Sequence, residues 1–140
     1  KRLKIRNERV AGAPLQEIMK INFNLRQKLF SDNYSMRILL GIIEKYGELA
    51  SQRNFIPVFV LLPQKDDVIM VKNGNPYYNQ FLQKISEKML SIDLTSPLSE
   101  HPNIDSLYSD DGVYGGHFSK DGNKLVAEFT YRMLKDKKYV

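Results

Sequence analysis

Residues 55–62 read Phe-Ile-Pro-Val-Phe-Val-Leu-Leu, a continuous apolar run closed by Pro63. A short run of this kind, rich in branched and aromatic side chains and without polar alternation, fits a strand covered on both faces, as in a parallel sheet. Pro57 belongs near the start of that strand, where its missing N–H does least harm. Such a strand constrains the rest of the chain, because it needs helices on both faces and neighbours along its edges.

The flanking segments supply helices. Pro14 suits a first helical position, and Leu15, Ile18, Ile21, Leu25 and Leu29 then recur at helical spacing, predicting a helix over 14–30. Ser31-Asp32-Asn33 is a turn and capping cluster. A second helix over 34–52 carries Leu39, Ile42, Ile43, Tyr46, Leu49 and Ala50 as one stripe. Residues 64–75 are polar and read as a loop ending in the turn signal Asn73-Gly74-Asn75. Asn75 as cap and Pro76 as first residue open a third helix bearing Tyr78, Phe81, Leu82, Ile85 and Met89. A short strand is expected at 91–95, then a loop bracketed by Pro97 and Pro102 that runs to about Gly116. The last helix spans 120–134, with Ser119 as cap and Leu125, Val126, Phe129 and Met133 as its buried face.

Strands alternating with helices predict an α/β fold with a parallel sheet and right-handed crossovers. Two strands make a small sheet, so further strands are expected from missing sequence, from a second chain or from unrecognised segments. The chain length suits one domain. It divides into a basic N-terminal segment (1–13), an α/β portion (14–136) and a basic tail (137–140). The N-terminus has no Met and no signal-peptide core, which reads as a processed or truncated chain.

The net charge of +5 is a property of the ends. Lys1, Arg2, Lys4, Arg6, Arg9, Arg132, Lys135, Lys137 and Lys138 leave 12 basic against 14 acidic residues between positions 11 and 131. A nucleic-acid interface needs a basic face on the folded body, so none is expected. No apolar run approaches the ~20 residues of a membrane span. The absence of Cys excludes disulfides, thiolate metal sites and a Cys nucleophile, and leaves the compartment open. No cofactor is expected.

The chain has two histidines. His101 lies in the Pro-bracketed loop and reads as an exposed loop residue. His117 follows Asp110-Asp111-Gly112-Val113-Tyr114-Gly115-Gly116 and precedes a helix. A general-base histidine needs a carboxylate to fix its tautomer, and glycines let the backbone bring the ring close to another element. The bland alternative is a loop histidine packing on the helix start. A metal site using Asp110, Asp111 and His117 is weakened by the lack of a second His at helical spacing, and no metal is expected.

The run His117-Phe118-Ser119-x-x-Gly122-Asn123-x-x-Val126-Ala127-Glu128 resembles the last motif block of the SGNH (GDSL-type) serine hydrolases. The upstream order is also similar: an amphipathic helix, a buried strand ending in Pro63, a helix, then Ile92-Asp93-Leu94 and the histidine loop. The resemblance covers about residues 34–134. It implies the C-terminal part of a three-layer, flavodoxin-like parallel sheet flanked by helices. It also implies Ser-His-Asp acyl transfer on a carbohydrate or lipid ester. His117 would be the base. The family's acid stands three residues before the His, where this chain has Tyr114, so Asp111 is the preferred acid and Asp110 the second choice. Without either, a Ser–His dyad or a degenerate site remains. None of the serines stands in a Gly-Asp-Ser or Gly-x-Ser-x-Gly setting, which places the nucleophile outside this chain. The alternative is a non-catalytic interaction domain that keeps the fold.

Overall fold

Two parallel strands lie between helical layers in the computed structural model, which describes residues 8–109 and 112–140. Strand β1 (Val58–Leu61) pairs with β2 (Leu90–Asp93), with Val58 opposite Leu90 and Leu61 opposite Asp93. The helices are α1 (Glu8–Ser31), α2 (Asn33–Arg53), α3 (Lys65–Lys72), α4 (Asn79–Ser86), α5 (Thr95–Ser99) and α6 (Lys120–Asp136), with a 3-10 turn at Ile104–Leu107. The molecule is thus mixed α/β, mostly helical, around a small parallel sheet.

Side-chain alternation along the strands sorts the core into two parts. Val58, Val60, Leu90 and Ile92 pack with Val68, Leu94, Leu98 and Leu107, and Phe118, Leu125, Val126 and Phe129 close this side. Phe59, from the opposite face of β1, packs with Met36, Phe81 and Ile85, which belong to α2 and α4. Helices therefore cover both faces of the sheet. The edges are another matter. All four residues of β1 are only half-buried, against the expectation of full burial, and Leu62 just beyond is exposed. Among the described residues β2 is its sole strand neighbour, which accounts for the partial burial.

Several local expectations shift. Helix α1 starts before Pro14, which lies inside it and gives up one helical hydrogen bond there. The stripe Leu15, Ile18, Ile21, Leu25 and Leu29 is exposed, while Phe23 is buried and Phe30 packs against the core. In α2, Met36 and Ala50 are buried, whereas Ile42, Tyr46 and Leu49 are exposed. Asp32 caps α2 by accepting from the Ser35 N–H at 2.7 Å. Helix α4 begins at Asn79 rather than at Pro76. The stretch 64–75, expected as a polar loop, contains α3 with Val68 buried in the core, and the expected loop after β2 holds α5 and the 3-10 turn.

Candidate active site

The stretch leading to His117 is closed at its neck by short-range geometry. Tyr108 and Phe118 form an antiparallel bridge, and their rings stack at 4.9 Å. The Ser109 N–H and hydroxyl both donate to the His117 carbonyl, at 2.8 and 3.1 Å. The Ser119 N–H donates to the Leu107 carbonyl at 2.9 Å. Ser119 then caps α6 as expected, accepting from the Gly122 N–H at 3.1 Å while its hydroxyl donates to the Ser106 carbonyl.

A close approach of two backbones requires a glycine at Gly122. A Cβ there would stand 2.1 Å from the Leu107 carbonyl oxygen, so any side chain would push α6 off the 3-10 turn. The bare backbone lets the helix start approach the turn and fixes the direction in which the chain leaves His117.

Beyond the neck, the loop rests on the start of α3. The Lys65 N–H donates to the Gly115 carbonyl at 2.7 Å, and Lys65 Nζ donates to the Gly112 carbonyl at 2.5 Å. The same ammonium pairs with Asp105 at 2.6 Å, so this 5 %-exposed lysine has two partners for its charged end. Gly116 lies against Gln64, where a Cβ would come within 3.1 Å of the Gln64 side chain. Tyr108 reaches the end of β1, its hydroxyl donating to the Pro63 carbonyl at 3.1 Å. The His117 loop is thereby anchored to the carboxyl end of β1, where ligands bind in open parallel sheets.

The sequence-predicted residues divide. His117 is exposed at the loop's end, one residue before the Phe118 bridge. Asp110 and Asp111 lie outside the described residues. Tyr114 is half-buried with its ring 5.8 Å from Phe23 of α1, an aromatic packing role. His101 turns back on its own loop, with Nδ1 2.8 Å from the Asn103 carbonyl and 3.2 Å from its N–H. Asp93 accepts the Thr95 N–H at 2.8 Å and so caps the start of α5. Among the described residues, no three His, Asp or Glu side chains are grouped to hold a metal ion.

Sequence reasoning missed a polar cluster beside this loop. Arg26 of α1 donates from Nη2 to Asp66 at 3.0 Å and to Asp67 at 2.9 Å, from Nη1 to Gln64 at 2.8 Å, and from Nε to Tyr77 at 3.2 Å. Tyr77 in turn donates to Asp67 at 2.6 Å, and the Gln64 N–H donates to the other Asp67 oxygen at 2.9 Å. Burial works against the Arg26 charge, but the Tyr77 bond and the carboxylates of Asp67 and Asp66 outweigh it and raise its pKa. Burial raises the Asp66 pKa; Arg26 pulls it down and the Asp67 charge pushes it further up. Burial, reinforced by Asp67, raises the Tyr77 phenol. The available signal was the charged run Lys65-Asp66-Asp67 directly after the strand-ending Pro63-Gln64.

Neither family models nor curated proteins nor solved structures show a match to this chain.

Proposed function

We propose that this chain is the histidine-bearing part of an SGNH-type acyl hydrolase that cleaves an ester on a carbohydrate or lipid, with the serine supplied from outside these residues. One observation carries the reading most. The loop that ends in His117 is closed on Ser109 and pinned to the carboxyl end of a parallel strand, the crevice in which such folds do chemistry. The Ser119 cap and the close approach at Gly122 support the family-like block residue by residue. In this reading the orienting acid is Asp111, with Asp110 as the second choice.

In the proposed cycle His117 takes the proton of the serine hydroxyl as that oxygen attacks the ester carbonyl. It then returns the proton to the departing alkoxide, and a water repeats the sequence on the acyl-enzyme. A fluorophosphonate probe applied to the native, assembled protein tests this: a labelled serine is expected. No labelling, together with unchanged esterase activity in His117→Ala, would sink the proposal. The isolated chain should be inactive.

The second reading, a non-catalytic interaction domain, is favoured by the apolar surface of α1 and α2. Leu15, Ile18, Ile21, Leu25 and Leu29 on α1, and Ile38 and Ile42 on α2, are each about half or more exposed. A contiguous apolar face of this kind marks a contact surface. It expects another chain, or a missing N-terminal segment, to complete the sheet. A well-folded chain that sediments as a strict monomer would count against it. No helix among the described residues is long and apolar enough to cross a membrane.

A further inference from the structure

A pocket of about 150 Å³ opens at the carboxyl ends of both strands. One wall is apolar, made by Phe30, Leu61, Leu62 and Pro63, and the other presents Tyr78 and Thr95 beside the Arg26–Asp67–Tyr77 cluster. Tyr78 is 3 % exposed and Thr95 is fully buried, yet neither hydroxyl has a hydrogen-bond partner among the described residues. The two groups are near enough for Thr95 to offset part of the rise that burial gives the Tyr78 phenol, but no bond of ordinary distance and angle joins them. Buried hydroxyls are otherwise nearly always satisfied, so two in one small pocket point to something that satisfies them.

The chemistry of the walls defines what fits. Arg26 and Asp67 are spent on each other and on Gln64 and Tyr77. Of the five guanidinium N–H groups, one on Nη1 has no acceptor among the described residues. Each unspent group can therefore donate: the Tyr78 and Thr95 hydroxyls, which can also accept, and that N–H, which cannot. An anion would meet the Asp67 carboxylate, and a cation would meet Arg26. A cavity of this size holds about six non-hydrogen atoms, the size of benzene.

We propose that this pocket binds a small uncharged carbonyl group, an amide or ester with a two- to four-carbon body. Its oxygen accepts from Tyr78 and Thr95, and its hydrocarbon lies on Phe30, Leu61 and Pro63. The site does not rest on the hydrolase reading, since binding needs neither His117 nor a serine.

Titration of the chain with propanamide, propanoate and propylammonium, followed by NMR at the Thr95 methyl and the Tyr78 ring, tests it. Propanamide is expected to bind saturably in the millimolar range, and each ion at least tenfold more weakly. Tyr78→Phe and Thr95→Val, which each delete a hydroxyl at nearly constant volume, should each weaken propanamide about fivefold. A third variant, His117→Ala, should bind as the wild type does, which separates this outcome from that of the hydrolase proposal. Absence of saturation, equal binding of either ion, or undiminished binding by both hydroxyl-deleted variants would overturn the proposal.

Discussion

The C-terminal half of the molecule and the α1–α2 pair are built from equally apolar sequence but bury it to different degrees. Ile85, Ile92, Leu94, Leu98 and Leu107 are at most 1 % exposed, because α3 to α6 close around the strands. Along α1, Leu15, Ile18, Ile21, Leu25 and Leu29 are more than half exposed. The pair is held to the rest by Met36 of α2 packed with Phe81 and Ile85, by Phe30 and Phe23 on aromatic neighbours, and by Arg26 on Asp66 and Asp67. Helical periodicity thus shows that a stripe exists, and only packing shows whether anything covers it. The half with a complete core is the half that carries the candidate site.

The largest effect should come from the core. Leu98→Ala removes a fully buried side chain and is expected to destabilise by about 4 kcal/mol in urea unfolding, whereas Ile21→Ala should stay within about 0.5 kcal/mol unless a partner covers α1. An equal loss in the two variants would break the contrast and show that α1 is covered in solution. Next comes the joint between the halves. Arg26→Met strands two buried carboxylates, and about 3 kcal/mol is expected, somewhat below a fully enclosed pair because Arg26 keeps partial contact with water.

A smaller effect depends on pH. Burial raises the Asp66 pKa, so the folded state holds the proton more tightly than the unfolded chain. The resulting stabilisation is complete below the ordinary carboxylate range and is lost as pH rises through the raised value. Asp66→Asn is neutral throughout, so its stability relative to the wild type should increase from acid to neutral pH. A flat difference in urea titrations across that window would show that Asp66 is not raised. The smallest effect concerns the exposed pair Lys88–Glu44, which links α2 to the segment before β2 at 2.7 Å. Lys88→Gln should change stability by less than about 0.5 kcal/mol.

Much of the fold was legible where local patterns and tertiary packing agree. The apolar run at 55–62 marked β1, Ser119 marked the start of α6, and the stripe of α2 set its length. What escaped depends on distant partners. Helix α3 begins Lys65-Asp66-Asp67, which reads as a solvated loop until Arg26 is placed 2.9–3.0 Å away and Asp105 takes Lys65. Tyr114 reads as one residue of a glycine-rich loop, and its packing on Phe23 could not be foreseen. The pocket hydroxyls escaped for the same reason: Tyr78 reads as one more apolar position on a helical stripe, and its position beside Thr95 follows from how α4 and α5 meet the strand ends.

The most direct test of the account is kinetic. Ester hydrolysis by the native, assembled protein should be compared with that of His117→Ala, with p-nitrophenyl acetate as substrate. In His117→Ala kcat is expected to fall at least about a thousandfold while the fold is unchanged. Equal rates in the two proteins would contradict it and leave His117 as a loop residue at the start of a helix.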